Sequence, residues 1–148
     1  MSVDSDLIKL YSGQILALAA DIPLTERLES AQASVKERAP LCGSTVTIDL
    51  NMEHGKVVGF GQDVKACALG QAAASVVASH IIGRTSEQVF KARDQLSQML
   101  RSNGPVPDAP FDGLKVLEPA RDFKNRHDSI LLALEAVTKA IKHIDKTA

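Results

Sequence analysis

The sequence predicts an α+β fold in which a small antiparallel three-stranded sheet has helices packed on one side. Three observations lead to this prediction. Apolar residues recur at the three- and four-residue spacing of amphipathic helices over residues 4–20 and again over residues 123–144. Between residues 31 and 66 the pattern changes to the two-residue alternation of half-buried strands. The order helix, strands, helices is typical of folds whose helices cover one face of an antiparallel sheet.

The length, composition and charge of the chain argue against several classes of protein. Its 148 residues suit a single domain, residues 1–148, and 45% hydrophobic with 24% charged residues is an ordinary globular composition. A net charge of −1 and an aromatic content of 3% argue against a nucleic-acid partner, which requires a basic surface or stacking rings. No run approaches the ~18 apolar residues of a membrane span, and the acidic start does not resemble a signal peptide. We therefore expect a cytoplasmic protein with no membrane partner.

The predicted sheet is a hairpin with a third strand beside it. Residues 45–50 alternate strictly between polar and apolar side chains. Residues 53–56 have the composition of a turn, and residues 56–60 form a second, β-branched run. Residues 34–38 are expected to add the third antiparallel strand, and one face of the sheet is expected to be exposed.

The first two helices have recognisable ends. The helix over residues 4–20 stops before Pro23, because a proline ring does not fit a helix interior. An alanine-rich helix over residues 66–82 is apolar almost all round, which predicts burial, and Gly83 is expected to cap its C-terminus.

Two more helices complete the C-terminal half. Thr85 and Gln88 have the spacing of a capping box and begin a helix that runs to about Arg101. Residues 103–112 contain three prolines and a glycine, which is typical of a loop. The last helix is expected to begin near Pro119, an allowed first-turn position. Its apolar stripe consists of Phe123, His127, Ile130, Leu134, Val137, Ile141 and Ile144.

The two cysteines lie at predicted element boundaries. Cys42 is in the turn before the hairpin, where Pro40 and Gly43 shape the backbone. Cys67 is at the entry to the alanine-rich helix, where unpaired N–H groups favour a thiolate. In a reducing compartment two cysteines are not a disulfide framework, so they are buried apolar side chains, reactive thiols or metal ligands.

His127 is the third candidate for a metal site. A neutral imidazole on the apolar stripe of the last helix needs a hydrogen-bond acceptor or a metal ion as its partner. Asp128 points about 100° away around the helix, either to the rim of the same pocket or to solvent. The other histidines have no second ligand nearby in the sequence: His54, His80 and His143.

Enzyme motifs are absent from the sequence. It has no glycine-rich phosphate loop, no H-E-x-x-H motif, no G-x-S-x-G elbow and no C-x-x-C pair. A nucleophilic pair of Cys67 and His127 is an alternative, but no predicted pocket would hold a substrate beside it. We therefore expect a protein that is not an enzyme.

Three segments resemble the iron–sulfur cluster assembly scaffolds, the family of the IscU, SufU and N-terminal NifU proteins. Residues 39–44, A-P-L-C-G-S, resemble the family's A-P-x-C-G-D segment. Residues 65–75 resemble its G-C-x-x-x-x-A-S-S-S helix entry, and residues 126–131 resemble its H-C-S-x-L-A segment. The order of the segments is the family's, and the resemblance covers most of the chain. It departs from the family where Ser44 stands in place of an aspartate and Asp128 in place of a third cysteine.

The resemblance implies a scaffold or carrier of SufE/NifU-like architecture. It would hold iron or a labile [2Fe–2S] cluster on Cys42, Cys67 and His127, which we expect to meet at one end of the sheet, with Asp128 as a further candidate ligand. A cysteine desulfurase would be its partner, and apo-proteins would accept the cluster. The missing third thiolate leaves two alternatives open. One is a zinc-bound, SufU-like sulfur acceptor for a cysteine desulfurase, and the other is an interaction module of the same fold that has lost its ligands.

Overall fold

The computed structural model describes residues 12–40 and 43–147. Residues 4–11 of the predicted first helix and Cys42 of the predicted site lie outside the described residues. Two 3-10 helices, Asp112–Asp122 and Lys124–Arg126, precede the last α-helix. The other elements, in chain order, are α1 (Gly13–Ala20), β1 (Ala33–Arg38), β2 (Thr45–Glu53), β3 (Lys56–Lys65), α2 (Ala68–His80), α3 (Ser86–Arg101) and α4 (His127–Thr147).

The three strands form one antiparallel sheet in the order β1-β2-β3. Val46, Ile48 and Leu50 alternate along the middle strand and are buried, because α4 packs on that face. The turn between β2 and β3 holds His54 and Gly55 at φ of 53° and 74°, as a two-residue hairpin turn requires. The predicted α+β fold class, the hairpin and the third strand are confirmed.

The outer face of the sheet is covered in part, where the sequence predicts exposure. The chain between α1 and β1 crosses β3, and the Gln62 N–H donates to the Leu24 carbonyl at 3.0 Å. The Gln62 side-chain amide donates to the Pro23 carbonyl at 3.1 Å. Gly61 admits the crossing chain because a Cβ at that position would clash with the carbonyl oxygen of Glu26. The expectation of an exposed face is therefore wrong for the middle of the sheet, because a segment without helical or strand periodicity covers it.

A buried carboxylate fixes this crossing. Asp49 of β2 accepts hydrogen bonds from Arg27 Nε at 2.5 Å and Arg27 Nη2 at 3.0 Å. Ser34 Oγ and the Leu28 N–H donate to the same carboxylate at 2.6 and 3.0 Å. The Arg27 hydrogen bond lowers the pKa of Asp49 from its ordinary value, and burial opposes this shift. The crossing segment is thus held by an ionised side chain as well as by packing.

The structure confirms most of the predicted boundaries of α2 and α3. α2 is buried over most of its surface, as its alanine-rich composition predicts. It ends at His80 with Ile81 as its cap, so Gly83 is not the cap itself. Gly83 lies two residues further on at φ 87° and donates to the Val57 carbonyl at 2.8 Å. The predicted capping box at Thr85 is present and begins α3.

The last helix begins later than predicted. Pro119 lies inside the 3-10 helix Asp112–Asp122, and Phe123, at φ −112° and ψ 74°, interrupts the helical path. α4 therefore begins at His127. The predicted start near Pro119 is wrong. Residues three apart lie on one side of a 3-10 helix, so the buried residues of the helix Asp112–Asp122 have nearly the same spacing as the apolar stripe of α4. These buried residues are Leu114, Leu117 and Ala120.

α4 is the central helix of the core. It contacts α2, α3 and two of the strands, β1 and β2. Ile130, Leu134, Val137 and Ile141 of its predicted stripe are buried. Across residues 12–40 and 43–147, no helix combines the length and the apolar character that a membrane crossing would need.

Candidate cluster-binding site

The loop that contains Cys42 is closed at its base by two backbone hydrogen bonds. The Ala39 N–H donates to the Ser44 carbonyl at 2.8 Å, and the Gly43 N–H donates to the Ala39 carbonyl at 2.9 Å. Gly43 has φ 70°, a left-handed conformation that glycine adopts without strain. Because Ala39 and Ser44 are both buried, the two stems of this loop are anchored in the core on either side of Cys42.

Cys67 is the residue that precedes the first turn of α2. It occupies the N-cap position with φ −66° and ψ 169°, and its side chain makes no capping hydrogen bond to the helix. The thiol is half-buried, and its Sγ lies 3.4 Å from Ser129 Oγ on α4. The sequence prediction that Cys67 lies at a helix N-terminus is therefore confirmed.

Ser129 joins the segments that carry the two cysteines. Its Oγ, which is 3.4 Å from Cys67 Sγ, also donates to Ser44 Oγ at 3.1 Å. Gly70 allows α2 to approach this side chain, because a Cβ at residue 70 would lie 2.6 Å from Ser129 Oγ and 3.0 Å from its carbonyl oxygen. The N-termini of α2 and α4 and the loop between β1 and β2 therefore converge on one buried hydroxyl.

His127 is buried at the first position of α4. Its Nε2 lies 3.1 Å from the Ala120 carbonyl oxygen and 3.0 Å from that of Arg121. A carbonyl oxygen only accepts hydrogen bonds, so Nε2 carries the hydrogen and the Nδ1 atom of the neutral ring keeps its lone pair. Metal-binding histidines commonly have this arrangement, in which one ring nitrogen donates to a backbone carbonyl and the other binds the metal.

Asp128 is paired with an arginine of the neighbouring helix. Arg101, the last residue of α3, places its Nη2 2.8 Å from Asp128 Oδ1. The side chains are 49% and 37% exposed, so the pair lies at the surface. The carboxylate therefore already has a cationic partner and would have to leave it to bind a metal.

The predicted ligands come together only in part. Among residues 12–40 and 43–147, no three His, Cys, Asp or Glu side chains lie close enough to hold a metal ion. A site built on Cys67 and His127 therefore depends on Cys42, which lies outside the described residues, and the meeting of the three ligands stays a prediction. The other histidines lie elsewhere: His54 in the hairpin turn, His80 at the end of α2 and His143 in the last turns of α4.

A cleft with a volume of about 550 Å³ lies beside the start of α4. Both His127 and Asp128 line it. Most of its other lining side chains are charged, namely Arg101, Arg121, Asp122 and Lys124, and we call this surface the basic cleft. A second hollow shares Arg101 and Asp128 with it and extends to Pro40, at the stem of the Cys42 loop. The Arg101–Asp128 pair thus stands between the Cys42 loop and the basic cleft.

Comparisons with known proteins agree with this architecture. No family model matches the chain. The solved structure of a nitrogen-fixing NifU-like protein (N-terminal) from Brucella abortus is 41% identical, covers 97% of this chain and 99% of its own, and superposes with a TM-score of 0.94. An iron–sulfur cluster assembly scaffold protein IscU from Thermotoga maritima is 23% identical over 93% of this chain and 96% of its own length. A putative scaffold protein for the SUF system from Fervidobacterium islandicum shares the fold, at 20% identity and a TM-score of 0.80 over 89% of this chain and 96% of its own.

The fold and the relatives place the chain among scaffold proteins of iron–sulfur cluster assembly, a class that is not enzymatic. Because its identity with the Brucella protein extends over nearly the whole chain, it belongs to the NifU-like N-terminal family. The predicted family and the predicted absence of enzymatic function are confirmed by these relatives.

Sequence reasoning missed two side chains of this region. Ser129 is adjacent to Asp128 in the sequence, but its importance lies in contacts with residues 62 and 85 positions away. From the sequence, Arg101 can be identified only as the end of a predicted helix, and its partner Asp128 lies 27 positions further along the chain. The family resemblance could have indicated Ser129, because this residue matches the serine of the H-C-S-x-L-A segment.

Proposed function

We propose that this protein carries iron or a labile [2Fe–2S] cluster on Cys42, Cys67 and His127 and passes it to acceptor apo-proteins. The sulfur would come as a persulfide from a cysteine desulfurase, with which the scaffold would associate, and a two-electron reductant would convert it to sulfide. The cluster is cargo in this scheme, so a site that binds it weakly suits its transfer. We further propose that residues 1–148 act as one domain.

The observation that carries the proposal is the convergence of three segments on Ser129. Its hydroxyl contacts Cys67 Sγ and donates to Ser44 Oγ, two residues beyond Cys42. His127 is the first residue of the same helix, so the imidazole lies at the end of α4 on which the thiol and the stem of the cysteine-bearing loop converge. Thiolate and imidazole are the ligands that iron–sulfur centres use.

The hydrogen bonds of His127 support its role as a ligand. Its Nε2–H is bound to two carbonyl oxygens, which fixes the ring and leaves Nδ1 as the basic nitrogen. Asp128 has a different position, because its carboxylate is held by Arg101 at 2.8 Å. A carboxylate is also a harder ligand than a thiolate and suits a cluster less well. The proposed ligand set therefore consists of Cys42, Cys67 and His127, with Asp128 outside it.

Anaerobic reconstitution with ferrous iron and sulfide tests the proposal. The cluster is measured by its visible absorption and by iron and sulfide analysis of the desalted protein. The wild-type protein is expected to bind a cluster, and Cys42→Ser and Cys67→Ser are each expected to lose most of it. His127→Gln is the third variant, because its amide N–H can still donate to the backbone carbonyls while the ring nitrogen is lost. Its cluster content is expected to fall without loss of the folded structure.

Matched histidine variants provide the control. The variants His54→Ala, His80→Ala and His143→Ala lie away from Ser129 and are expected to retain the wild-type cluster content. A Cys42→Ser/Cys67→Ser double variant with full iron content would refute the proposed site. Stoichiometric zinc in the isolated protein, with sulfur transfer from a desulfurase but no cluster, would favour the zinc-bound sulfur acceptor. Neither metal nor cluster under any condition would favour the interaction module.

A further inference from the structure

We propose that the basic cleft binds the carboxylate of a small external thiol, whose sulfur completes the ligand set of the cluster. This inference rests on the proposed function, because it concerns the same cluster site. The residues that would bind the carboxylate are Arg121 and Lys124, with Arg101 at the edge of the cleft. No side chain of the protein supplies the additional sulfur.

The chain has too few cysteines to hold a cluster with four thiolates. A [2Fe–2S] cluster is held by four protein ligands, usually thiolates, and the whole sequence contains two cysteines. His127 brings the number of proposed ligands to three, and the Asp128 carboxylate is engaged by Arg101. At least one coordination position is therefore left for a ligand from outside the chain. A thiolate is the ligand that iron prefers there, and the thiol releases its proton to solvent when it binds.

Two cations of the basic cleft, Arg121 and Lys124, have few partners of opposite charge in the described part of the chain. Arg121 Nε is buried and has no hydrogen-bond partner among the residues that the structure describes. Arg121 Nη2 lies 3.4 Å from the carboxylate of Glu118, which is the one ion pair of Arg121 among the described residues. Lys124 has no ion pair with any described residue. A buried donor without a partner is unfavourable, and a carboxylate matches the planar fork of an arginine.

The basic cleft has more cations than carboxylates and is lined by a proposed cluster ligand. Three cationic side chains line it against two carboxylates, Asp122 and Asp128, in a protein whose net charge is −1. His127, a proposed cluster ligand, lines the same cleft. Its volume of about 550 Å³ is within the range of small-molecule sites. An anionic thiol of peptide size could therefore place its carboxylate on the cations while its sulfur reaches the cluster.

Binding to the metal-free protein tests the cleft separately from the cluster. The probe is S-methylglutathione, which carries two carboxylates and has a blocked sulfur that cannot act as a thiolate ligand. Titration followed by NMR is expected to shift resonances of residues 121–128 saturably. Arg121→Gln and Lys124→Gln are each expected to weaken this binding about five- to tenfold, the size of one hydrogen bond of ordinary net strength. The control is Lys115→Gln, an exposed lysine outside the cleft, which is expected to bind like the wild type.

Reconstitution in different thiols tests the link to the cluster. Glutathione is expected to prolong the half-life of the cluster under a chelator more than 2-mercaptoethanol, which has no carboxylate. This advantage should disappear in Arg121→Gln and Lys124→Gln and persist in Lys115→Gln. The inference is wrong if S-methylglutathione does not bind saturably, or if both thiols stabilise the cluster equally. Failure of the proposed function has a different signature, which is full cluster content in the Cys42→Ser/Cys67→Ser variant in every thiol.

Discussion

Two aspartate–arginine pairs in this protein use the same chemistry but are held very differently. On the outer face of the sheet, the Asp49 side chain is 2% exposed and receives both Nε and Nη2 of Arg27. Beside the candidate site, the Asp128 side chain is 37% exposed and receives one hydrogen bond from Arg101 within the described part of the chain. The first carboxylate is embedded in a buried network, and the second is held by a single ion pair at the surface.

The two pairs differ in how many other groups depend on the carboxylate. Ser34 and Leu28 add two donors to Asp49, so removal of that carboxylate would leave several groups without partners. Removal of the Asp128 carboxylate would leave only Arg101, which is half exposed and can be hydrated. Exposed pairs contribute little to stability, whereas breaking a buried network is costly. The sheet is thus fixed by several hydrogen bonds on its outer face, and the candidate site has at its edge a side chain held by one ion pair.

Asp49→Asn should give the largest effect. An amide at residue 49 cannot accept all the hydrogen bonds that the carboxylate accepts, so the segment that crosses the sheet loses its anchor. We expect the free energy of unfolding to fall by about 3 kcal/mol, measured by urea denaturation. Asp128→Asn is the matched control and should change it by less than about 0.5 kcal/mol. Equal losses in the two variants would remove the distinction between the two pairs.

Gly70→Ala should have the second-largest effect, at the site end of the molecule. The added methyl group would lie 2.6 Å from Ser129 Oγ, so α2 and α4 must separate. We expect a loss of about 1 to 2 kcal/mol in the free energy of unfolding. Gly13→Ala, where a Cβ meets no atom of the described residues within 4 Å, is the control and should be neutral within about 0.5 kcal/mol. An unchanged stability in Gly70→Ala would mean that the two helices can repack around Ser129.

Acid should reduce the contribution of Asp49. Folding lowers the pKa of Asp49 from its ordinary value of 3.8, so its stabilising effect is complete above about pH 4. The effect is lost as the pH falls from that value through the pKa of the folded protein. The difference in unfolding free energy between the wild type and Asp49→Asn should therefore shrink as the pH falls from about 4 to 3, by up to about 1 kcal/mol. A difference that stays constant with pH would show that Asp49 stabilises the fold by shape and not by charge.

Asp128→Cys should have the smallest effect on stability and a measurable effect on the cluster. The substitution removes an exposed ion pair, so the free energy of unfolding should change by less than about 0.5 kcal/mol. It also places a thiol beside His127, and a soft sulfur ligand should lengthen the half-life of a reconstituted cluster under a chelator. Asp128→Ser is the control, because it removes the carboxylate without adding a thiol. If Asp128→Cys and Asp128→Ser lose iron at the same rate, residue 128 does not reach the cluster.

The elements that could be predicted from the sequence are those determined by neighbouring residues. Alternation along β2, the Thr85 capping box and the burial of α2 follow from neighbouring residues, and all are present. The start of α4 was misplaced at Pro119, because a 3-10 helix and an α-helix bury similarly spaced residues over one or two turns. Local patterns therefore identified the elements and were weakest at the boundary next to the site.

The contacts around the site could not be predicted in the same way. Nothing near Asp128 in the sequence indicates Arg101, and nothing near Asp49 indicates Arg27, because each pair forms only when separate segments pack. The candidate ligands Cys67 and His127 were found because they lie at element boundaries and match the family's segments. The backbone partners of His127 depend on the 3-10 helix before it, which periodicity did not resolve.

The separation between Cys67 and Ser129 has a consequence for synthesis on the ribosome. The two residues are 62 positions apart, and translation at 5–20 residues per second makes Ser129 about 3 to 12 s after Cys67. For most of that interval the sheet and α2 are already translated, but the helix that packs beside the thiol does not yet exist. The thiol of the growing chain therefore lacks the contact that helps to bury it in the folded protein until residue 129 has been made.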